Sequence, residues 1–308
     1  MPYIRMSLPE LMQQFNCDSQ CRAYLEELRW PDGPVCPKCE GADIARVGGR
    51  EEVLRCKACE HQFTVTVGTI FHDSHLPLTK WYLATYLICE SKKGISALQL
   101  QRILGIGGYK TAWYLCHRIR EAMARANNGE PKLSGKIEID DTWIGGENKG
   151  RGVHNARENK TLVVGVTERG GRLRMVVVPD LTSDTIGKVV NRYVSKKIEM
   201  IVSDEFSAYL PAIGPTYKWK YSRIKHAETY VMGDIHTNSI ENRFSLLKRG
   251  IIGSWHKVSV KHLQRYLEEV SFRFGQRENP ALFSLTLSNL LNTDPLTFKA
   301  LTKEKMAA

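Results

Sequence analysis

The sequence lacks the features that define several large classes of protein. No apolar run approaches the length of a membrane span, and the N-terminus has no signal-peptide core. A basic amphipathic anchor, a lipidation signal, internal repeats and low-complexity segments are missing as well. Eight cysteines in 308 residues make no disulfide scaffold. We therefore expect a folded cytoplasmic protein without a membrane partner.

Positive charge is what the sequence has in excess. Lysine and arginine number 44 against 33 acidic residues, which gives a net charge of +11. A hydrophobic fraction of 42% and an aromatic fraction of 9% are those of a folded chain. The charge favours a polyanionic partner. Nucleic acid fits this role better than an anionic membrane, because no membrane anchor accompanies the charge.

Two Cys-x-x-Cys pairs lie close together in the N-terminal part of the chain. Sixteen residues separate Cys39 from Cys56, a spacing typical of a four-thiolate zinc site. Residues 43–54 and 62–67 alternate in polarity as strands do, so the pattern predicts a zinc ribbon. A module this small has little core and needs the metal to fold. Four thiolates leave no open coordination position, so we expect structural Zn²⁺ on Cys36, Cys39, Cys56 and Cys59.

A helical region follows the cysteine pairs. Two segments with helical periodicity are joined by a short glycine-bearing turn at residues 105–108, the signature of a helix-turn-helix. The helix after the turn carries basic and aromatic side chains that suit phosphate contacts beside a DNA groove. A plain helical bundle with a solvated basic face is the alternative. The candidate DNA-binding residues are Lys110, Trp113, Arg118, Arg120 and Arg125.

The sequence changes in character after residues 127–131, which have the composition of a linker. Beyond them, strand-like segments alternate with amphipathic helices, and this order predicts a mixed α/β domain. The expected organisation is an N-terminal helical segment at 1–31, a zinc ribbon at 32–72, a helix-turn-helix-like domain at 77–127, an α/β domain at 134–279 and a C-terminal tail at 280–308.

Three acidic residues of the α/β domain form a candidate catalytic set. Asp140 and Asp204 each close a short apolar run, and Asp is disfavoured inside strands, so we expect both at strand ends. Glu241 and Lys248 lie two turns apart on an amphipathic helix at residues 236–248. Taken singly, these residues also fit a helix cap, a turn or an ordinary surface charge pair.

Three converging carboxylates would repel one another and would need cations. Hard oxygen ligands select Mg²⁺ or Mn²⁺. Two such ions on Asp140, Asp204 and Glu241 can activate the attacking oxygen and stabilise the leaving oxygen of a phosphodiester. Lys248 would then contact a DNA phosphate or the charge that develops in the transition state.

Several motifs together give the chain a family resemblance. Besides the cysteine pairs, they lie at residues 68–71, 110–113, 138–146, 203–204 and 236–248. From about residue 8 to residue 277 the chain resembles the DDE-type insertion-sequence transposases with an N-terminal zinc ribbon, the ISXO2-like group. The resemblance implies an RNase H-like catalytic domain, with Asp140 on its first strand and Asp204 on its fourth. It also implies double-stranded DNA as the partner, both terminal inverted repeats and target, and a homo-oligomer on that DNA.

The resemblance leaves two candidates for the third metal ligand. Such families carry Glu with a basic residue seven positions on, which fits Glu241 and Lys248. Some related groups carry Asn in the third place, which would nominate Asn238. We expect Glu241, because an anionic ligand holds a divalent ion better than a neutral amide does. Asp141 stands where relatives usually carry Glu.

The leading functional hypothesis is a transposase that cleaves the ends of an insertion sequence and joins the freed 3′-hydroxyls to target DNA. One alternative is a non-catalytic DNA-binding regulator built from the ribbon and the helix-turn-helix, which would not need the carboxylates. Another is a metal-dependent nuclease on the same fold, which would cleave DNA without joining strands.

Overall fold

The computed structural model describes residues 6–145, 160–224 and 233–303 of the chain. By their contacts, these residues divide into two compact units. The first joins residues 6–126 to residues 278–303, and the second is Asn127–Arg277. Parts of the predicted domains lie outside the described residues, namely 1–5, 146–159, 225–232 and 304–308, and they include Gly146 of the motif at 138–146.

The first unit begins with two helices and a small antiparallel sheet. The first helix starts with a capping box, in which the Ser7 hydroxyl accepts from the Glu10 N–H and the Glu10 carboxylate accepts from the Ser7 N–H. These elements are α1 (Leu8–Gln14), α2 (Asp18–Arg29), β1 (Ile44–Val47), β2 (Arg50–Cys56) and β3 (Gln62–Phe63), with the strands in the order β1-β2-β3.

Three further helices follow: α3 (Leu78–Glu90), α4 (Ala97–Leu104) and α5 (Tyr109–Gly129). The Ser96 hydroxyl accepts from the Gln99 N–H and caps α4 at its N-terminus. Gly105 ends α4 with a left-handed φ of 57°, a conformation that glycine adopts without steric cost. The turn between α4 and α5 therefore lies where the glycines of the sequence predict it.

The second unit is built on a five-stranded mixed sheet. Its strands are β4 (Leu133–Ile144), β5 (Thr161–Glu168), β6 (Leu173–Val178), β7 (Val194–Ser203) and β8 (Tyr221–Arg223), in the order β6-β5-β4-β7-β8. The strands β4, β5 and β6 are antiparallel neighbours, whereas β7 is parallel to β4 and β8 is parallel to β7. Helix α6 (Ser183–Tyr193) precedes β7, and helix α7 (Tyr209–Tyr217) precedes β8.

Apolar side chains form a core on each face of this sheet. On one face, Ile137 and Ile139 of β4 pack with residues of α6 and α7. On the other face, side chains of β5 and β6 pack with α8 (Asn238–Gly250) and α9 (Val260–Gly275). A short π-helix, Ile251–Trp255, lies between these two helices in the chain. Side chains alternate along a strand, so Glu138 and Asp140 point toward the face that α8 covers.

The strand β4 is longer than the sequence indicates. Its hydrogen-bonded pairing with β5 continues as far as Ile144 and Thr161. Asp140 therefore lies inside this strand and not at its end, which corrects the prediction. On the side of β7, however, the pairing stops two residues before Asp140. Asp140 therefore lies within the paired part of β4 on the side of β5, but beyond the last residue pair on the side of β7.

The first residues of the predicted linker at 127–131 are helical in the structure. Helix α5 continues to Gly129. Asn127 is buried, and its side-chain amide donates to the carbonyl and the carboxylate of Glu268 on α9. The polar side chain of Asn127 therefore makes a buried hydrogen-bonded contact, as buried polar groups normally do.

The predicted C-terminal tail forms two helices of the first unit, α10 (Leu282–Leu291) and α11 (Phe298–Lys303). The Phe283 ring packs edge-on against Tyr82 of α3, and it lies 6.3 Å from the Phe15 ring. Within the described ranges, no helix is long and apolar enough to cross a membrane.

Candidate functional site

The four predicted zinc ligands converge on one point. Their sulfurs lie within 4.8 Å of one another, with Cys36 3.7 Å from Cys59 and Cys39 3.5 Å from Cys56. A tetrahedral Zn²⁺ bound at about 2.3 Å places its sulfurs roughly 3.8 Å apart. The observed separations therefore support structural Zn²⁺ on these cysteines.

Both cysteine pairs close with the same backbone geometry. The Glu40 N–H donates to the Cys36 carbonyl, and the Glu60 N–H donates to the Cys56 carbonyl, each at 2.9 Å. Glu40 and Glu60 both have left-handed backbone, with φ of 60° and 58°. Two matching knuckles that face each other account for the sulfur cluster.

The pairing of β4 with β7 brings two of the predicted acids together. The last residue pair of this parallel ladder is Glu138 with Val202. Asp140 and Asp204 each lie two residues further along the chain, so both acids follow the same end of this ladder, Asp140 still within β4. As predicted, Asp204 comes directly after the end of β7.

The electrostatics of Asp140 join the third acid to this pair. Burial, together with the charges of Asp204, Asp141 and Glu241, raises the pKa of the Asp140 carboxyl from 3.8 to about 7. The hydrogen bond from the Asp141 N–H acts in the opposite direction and is outweighed. The charges of both other predicted acids therefore act on Asp140.

Local hydrogen bonds orient the three carboxylates. They run from the Asp141 N–H to Asp140 at 2.8 Å, from the Phe206 N–H to Asp204 at 3.0 Å, and from the Thr237 hydroxyl to Glu241 at 2.8 Å. In the part of the chain that the structure describes, only the cysteines bring three or more ligand atoms within 4.8 Å of one another. The carboxylates therefore stand further apart than the sulfurs do.

An open groove of about 390 Å³ lies along Asp140, Glu241 and the exposed side of α8, and Asp204 is not among its lining residues. Its charged lining residues are Asp140, Asp141, Glu241, Lys248 and Arg249, and its remaining ones are Thr142, Phe244, Ser245 and Ile252. The predicted pair Glu241 and Lys248 thus faces one groove with Asp140. Asn238, the alternative third ligand, is the exposed first residue of α8 and is not among the lining residues.

Helix α8 packs on the sheet directly over Gly165. This glycine lies opposite Asp140 in the pairing of β4 with β5. A Cβ atom at this position would lie 2.8 Å from Ile240 Cδ1 and 2.8 Å from the Phe244 ring, closer than real contacts allow. Only glycine therefore lets the helix approach the strand closely enough to bring Glu241 near Asp140.

Asp141 is held from the other face of the sheet. The hydroxyl of the buried Tyr209, on α7, donates to Asp141 Oδ1 at 3.2 Å. Burial and then the charge of Asp141 raise the pKa of Tyr209, so the phenol stays protonated and remains a donor. Tyr209 therefore fixes the side chain next to Asp140.

Comparison with known proteins places these features in a family. Residues 132–275 match the ISXO2-like transposase domain, and residues 16–62 match the transposase zinc-ribbon domain. The chain belongs to the ISXO2-like transposases. The resemblance inferred from its motifs is thus confirmed.

This transposase is also similar to an uncharacterized protein in the transposable element ISH50 of Halobacterium salinarum. The two are 26% identical over 282 residues, which cover 85% of this chain and 92% of the relative. The match to the transposase domain lies within the second unit, Asn127–Arg277.

The zinc-ribbon match begins before the predicted ribbon at residues 32–72 and includes α2. Contacts within the first unit explain why this helix belongs to the module. Arg46 of β1 forms an ion pair with Glu26 of α2. Arg29, at the end of α2, donates to the carbonyls of Val65 and Val67. The helix is therefore tied to both the sheet and the segment that follows it.

Two of the predicted DNA-binding arginines of the transposase lie in its interior. Arg118 is 3% exposed and Arg120 is 1% exposed. The Arg118 guanidinium donates to the His72 carbonyl and lies 5.1 Å from the ring centres of both Trp81 and Tyr114. A guanidinium at this depth cannot reach a DNA phosphate, so the predicted role of these two residues is corrected to packing.

The other three candidates of α5 have different surroundings. Lys110 is exposed, and its ammonium lies 4.2 Å from the centre of the Phe298 ring. Trp113 is half-buried against the same ring. Arg125 is exposed and forms an ion pair with Asp294 at 2.6 Å. Lys110 lies exposed in the first turn of α5, so the structure does not contradict its predicted role in DNA binding.

Sequence reasoning missed four residues that shape the candidate site, namely Glu138, Gly165, Arg169 and Tyr209. A signal existed for Glu138, which is flanked by two isoleucines in an apolar strand. A charge in such a place needs a buried partner. A signal existed for Gly165 too, because a lone glycine inside an apolar strand often marks a close approach. Arg169 and Tyr209 have no signal in the sequence, because their roles depend on contacts between distant segments.

Proposed function

We propose that this transposase cleaves the ends of its insertion sequence and joins the 3′-hydroxyls to target DNA, with Asp140, Asp204 and Glu241 as catalytic metal ligands. The observation that carries the proposal is the groove that Asp140, Glu241 and Lys248 line together. The charges of Asp204 and Glu241, which together with burial raise the pKa of Asp140, support it. The register of β4 against β7 supports it independently, because Asp140 and Asp204 each follow the last residue pair of this ladder by two residues.

The strand arrangement supports an RNase H-like fold for the second unit. The family resemblance puts the first acid on the first strand and the second acid on the fourth. Asp140 lies on β4, the first strand of this unit, and Asp204 follows β7, the fourth. The helix α8 then supplies Glu241 and Lys248 from the same face of the sheet.

The donor set fits Mg²⁺ or Mn²⁺. All three side chains offer carboxylate oxygens, which are the ligands that these hard cations prefer. Burial and mutual repulsion oppose full ionisation of Asp140, and a bound cation would offset both effects. When bound, two such ions would activate the attacking oxygen and stabilise the leaving oxygen of a phosphodiester.

The protein's own residues orient the acids and the DNA. The Thr237 hydroxyl holds Glu241, and the Tyr209 hydroxyl holds Asp141. We assign Lys248 to a phosphate of the bound strand, because its exposed side chain lines the groove beside the acids. Glu241 is favoured over Asn238 as the third ligand, because it lines the groove with Asp140.

We assign end recognition to the zinc ribbon and to the turn between α4 and α5. Around this turn, Arg102, Tyr109 and Lys110 are exposed, and Tyr109 is 53% exposed. Exposed cations beside an aromatic ring suit phosphate and sugar contacts on a duplex. The homo-oligomer that the resemblance implies stays a prediction.

The test is a cleavage and joining assay with the zinc-loaded full chain, a duplex that carries an element end, and Mg²⁺. Asp140→Asn, Asp204→Asn and Glu241→Gln should each lower cleavage by at least about a thousandfold, because the residues act as a unit. Binding to the duplex should stay within twofold of wild type, since the acids hold metal and do not grip DNA. The matched control is Asp184→Asn, an exposed acid of α6 paired with Lys188, which should keep full activity.

Three outcomes would change the proposal. Cleavage by Asp140→Asn at the wild-type rate would refute metal catalysis at this site. Cleavage without any joined product would replace the transposase reaction with nuclease activity. A larger loss in Asn238→Ala than in Glu241→Gln would move the third ligand to Asn238.

A further inference from the structure

Glu138 is a buried charge at the centre of the second unit. Its side chain is 0% exposed, and the neighbouring side chains of β4, Ile137 and Ile139, belong to the core on the opposite face. Burying a carboxylate is costly unless it is paired and hydrogen-bonded. The partners of Glu138 therefore show what this charge does.

Three groups contact the Glu138 carboxylate. Arg169 Nε lies 2.7 Å from Oε1, and His236 Nδ1 lies 3.3 Å from the same oxygen. The backbone N–H of Ile240 donates to Oε2 at 3.0 Å. The carboxylate thus contacts one guanidinium and two residues around the start of α8.

The contact with Ile240 acts as a helix cap supplied by another segment. The first N–H groups of a helix have no partners within the helix, and Ile240 is the third residue of α8. The side chain of the residue that precedes the helix, Thr237, makes no capping bond, and its hydroxyl donates to Glu241. A carboxylate at this end also interacts favourably with the helix dipole.

The hydrogen bond between Glu138 and Ile240 joins two residues that each lie close in the chain to a proposed metal ligand. Glu138 lies two residues before Asp140 on the same face of β4. Ile240, which donates to Glu138, is followed directly by Glu241. We propose that Glu138 is a positioning residue, which caps α8 from β4 and so holds Glu241 beside Asp140. This inference rests on the proposed function, because it concerns the same metal site.

Arg169 strengthens the connection. Besides its ion pair with Glu138, its guanidinium donates to the His236 carbonyl at 3.0 Å and lies 3.7 Å from Asp234. Lys136 of β4 also pairs with Asp234, at 2.8 Å. The segment that leads into α8 is therefore fixed to β4 and to the residue after β5 at several points, and Glu138 is the buried centre of these contacts.

The experiment compares Glu138→Gln with Glu268→Gln in the zinc-loaded full chain. Glu268 is a matched control, because it is another buried acid of this unit, hydrogen-bonded to Asn127 and Gln264. We measure Mn²⁺ affinity, thermal stability, and hydrogen exchange of the amides at residues 238–242. Glu138→Gln should weaken Mn²⁺ binding about tenfold or more, as expected for a residue that orients a metal ligand. It should also speed exchange at the start of α8.

Glu268→Gln should change neither the Mn²⁺ affinity nor the hydrogen exchange at residues 238–242, even where it lowers the melting temperature as much as Glu138→Gln does. Glu138→Asp keeps the charge but is one methylene shorter, so it should also weaken Mn²⁺ binding. Wild-type Mn²⁺ affinity and exchange in Glu138→Gln would overturn the inference, and so would parallel changes in both Gln variants. If Mn²⁺ binds equally to wild type and Asp140→Asn, the proposed function fails instead, and the exchange data alone decide whether Glu138 anchors α8.

Discussion

Because the pKa of Asp140 is raised, we expect Asp140→Asn, which replaces the carboxylate with a neutral amide, to stabilise the protein when no divalent ion is bound at the acids. A group whose folded pKa lies above its unfolded value binds more protons in the folded state. Its contribution to stability is therefore complete below pH 3.8 and is lost as the pH rises to about 7. At pH 8 the folded protein bears the full cost of an ionised Asp140, whereas the Asn side chain of Asp140→Asn bears none.

The size of this effect follows from the pKa shift. A rise from 3.8 to about 7 is about 3 pH units, and each unit corresponds to about 1.4 kcal/mol, which gives an upper limit of about 4 kcal/mol. Relaxation of the neighbouring acids reduces this value, so we expect Asp140→Asn to raise the free energy of unfolding at pH 8 by about 2–4 kcal/mol. At pH 4 the difference from wild type should nearly vanish.

The assay is urea unfolding at pH 4, 6 and 8, with each variant compared with wild type at the same pH. Protonation of the cysteines releases Zn²⁺ at pH 4 from wild type and variants alike, so the comparison at that pH is between zinc-free proteins. Buffers are freed of divalent ions with a chelating resin, because a soluble chelator would also strip the zinc. The control Asp184→Asn, whose side chain is 76% exposed, should unfold like wild type at each pH. Added Mg²⁺ should stabilise wild type and leave Asp140→Asn unchanged. If Asp140→Asn is no more stable than wild type at pH 8, or gains equally at all three pH values, the electrostatic reasoning is wrong.

Three further predictions concern the zinc site, the packing of α8 and DNA binding. Metal analysis should find about one Zn²⁺ per chain, and Cys36→Ser should lose it together with the order of the ribbon, because the module has little core. Gly165→Ala should displace α8 and lower cleavage by at least about tenfold, whereas Gly187→Ala in α6, where an added Cβ meets nothing within 4 Å, should leave cleavage unchanged. Lys110→Ala should weaken binding to element ends and reduce its salt dependence, whereas Arg118→Ala should lower the melting temperature and change binding only in proportion to unfolding. A binding loss in Arg118→Ala at full stability, or none in Lys110→Ala, would contradict this assignment.

Features with local causes could be predicted from the sequence alone. The zinc ligands were identified because each knuckle is a four-residue unit whose geometry depends on its own backbone. The helix α8 was identified because its apolar stripe, with Ile240 and Phe244, has helical periodicity whatever it packs against. The turn between α4 and α5 followed from Gly105, whose left-handed φ favours glycine.

Features that depend on packing partners could not be predicted. Arg118 looks like a surface cation in the sequence, yet the ring faces of Trp81 and Tyr114 and the carbonyl of His72 surround it. The strand β4 extends past Asp140 because β5 continues to pair with it, and no local pattern reports the length of a distant partner. Periodicity shows that a face is buried, but it does not show against what.

The candidate site shows the same division. The sequence alone identified Asp140, Asp204 and Glu241 as candidates, because two acids that each close an apolar run occur together with a Glu–Lys pair on an amphipathic helix. Only the tertiary structure decided their arrangement, through the register of β4 with β7, the missing side chain at Gly165 and the buried charge of Glu138. These contacts join segments far apart in the chain, and their energies come from close packing and charge pairing that exist only once the sheet and α8 have assembled.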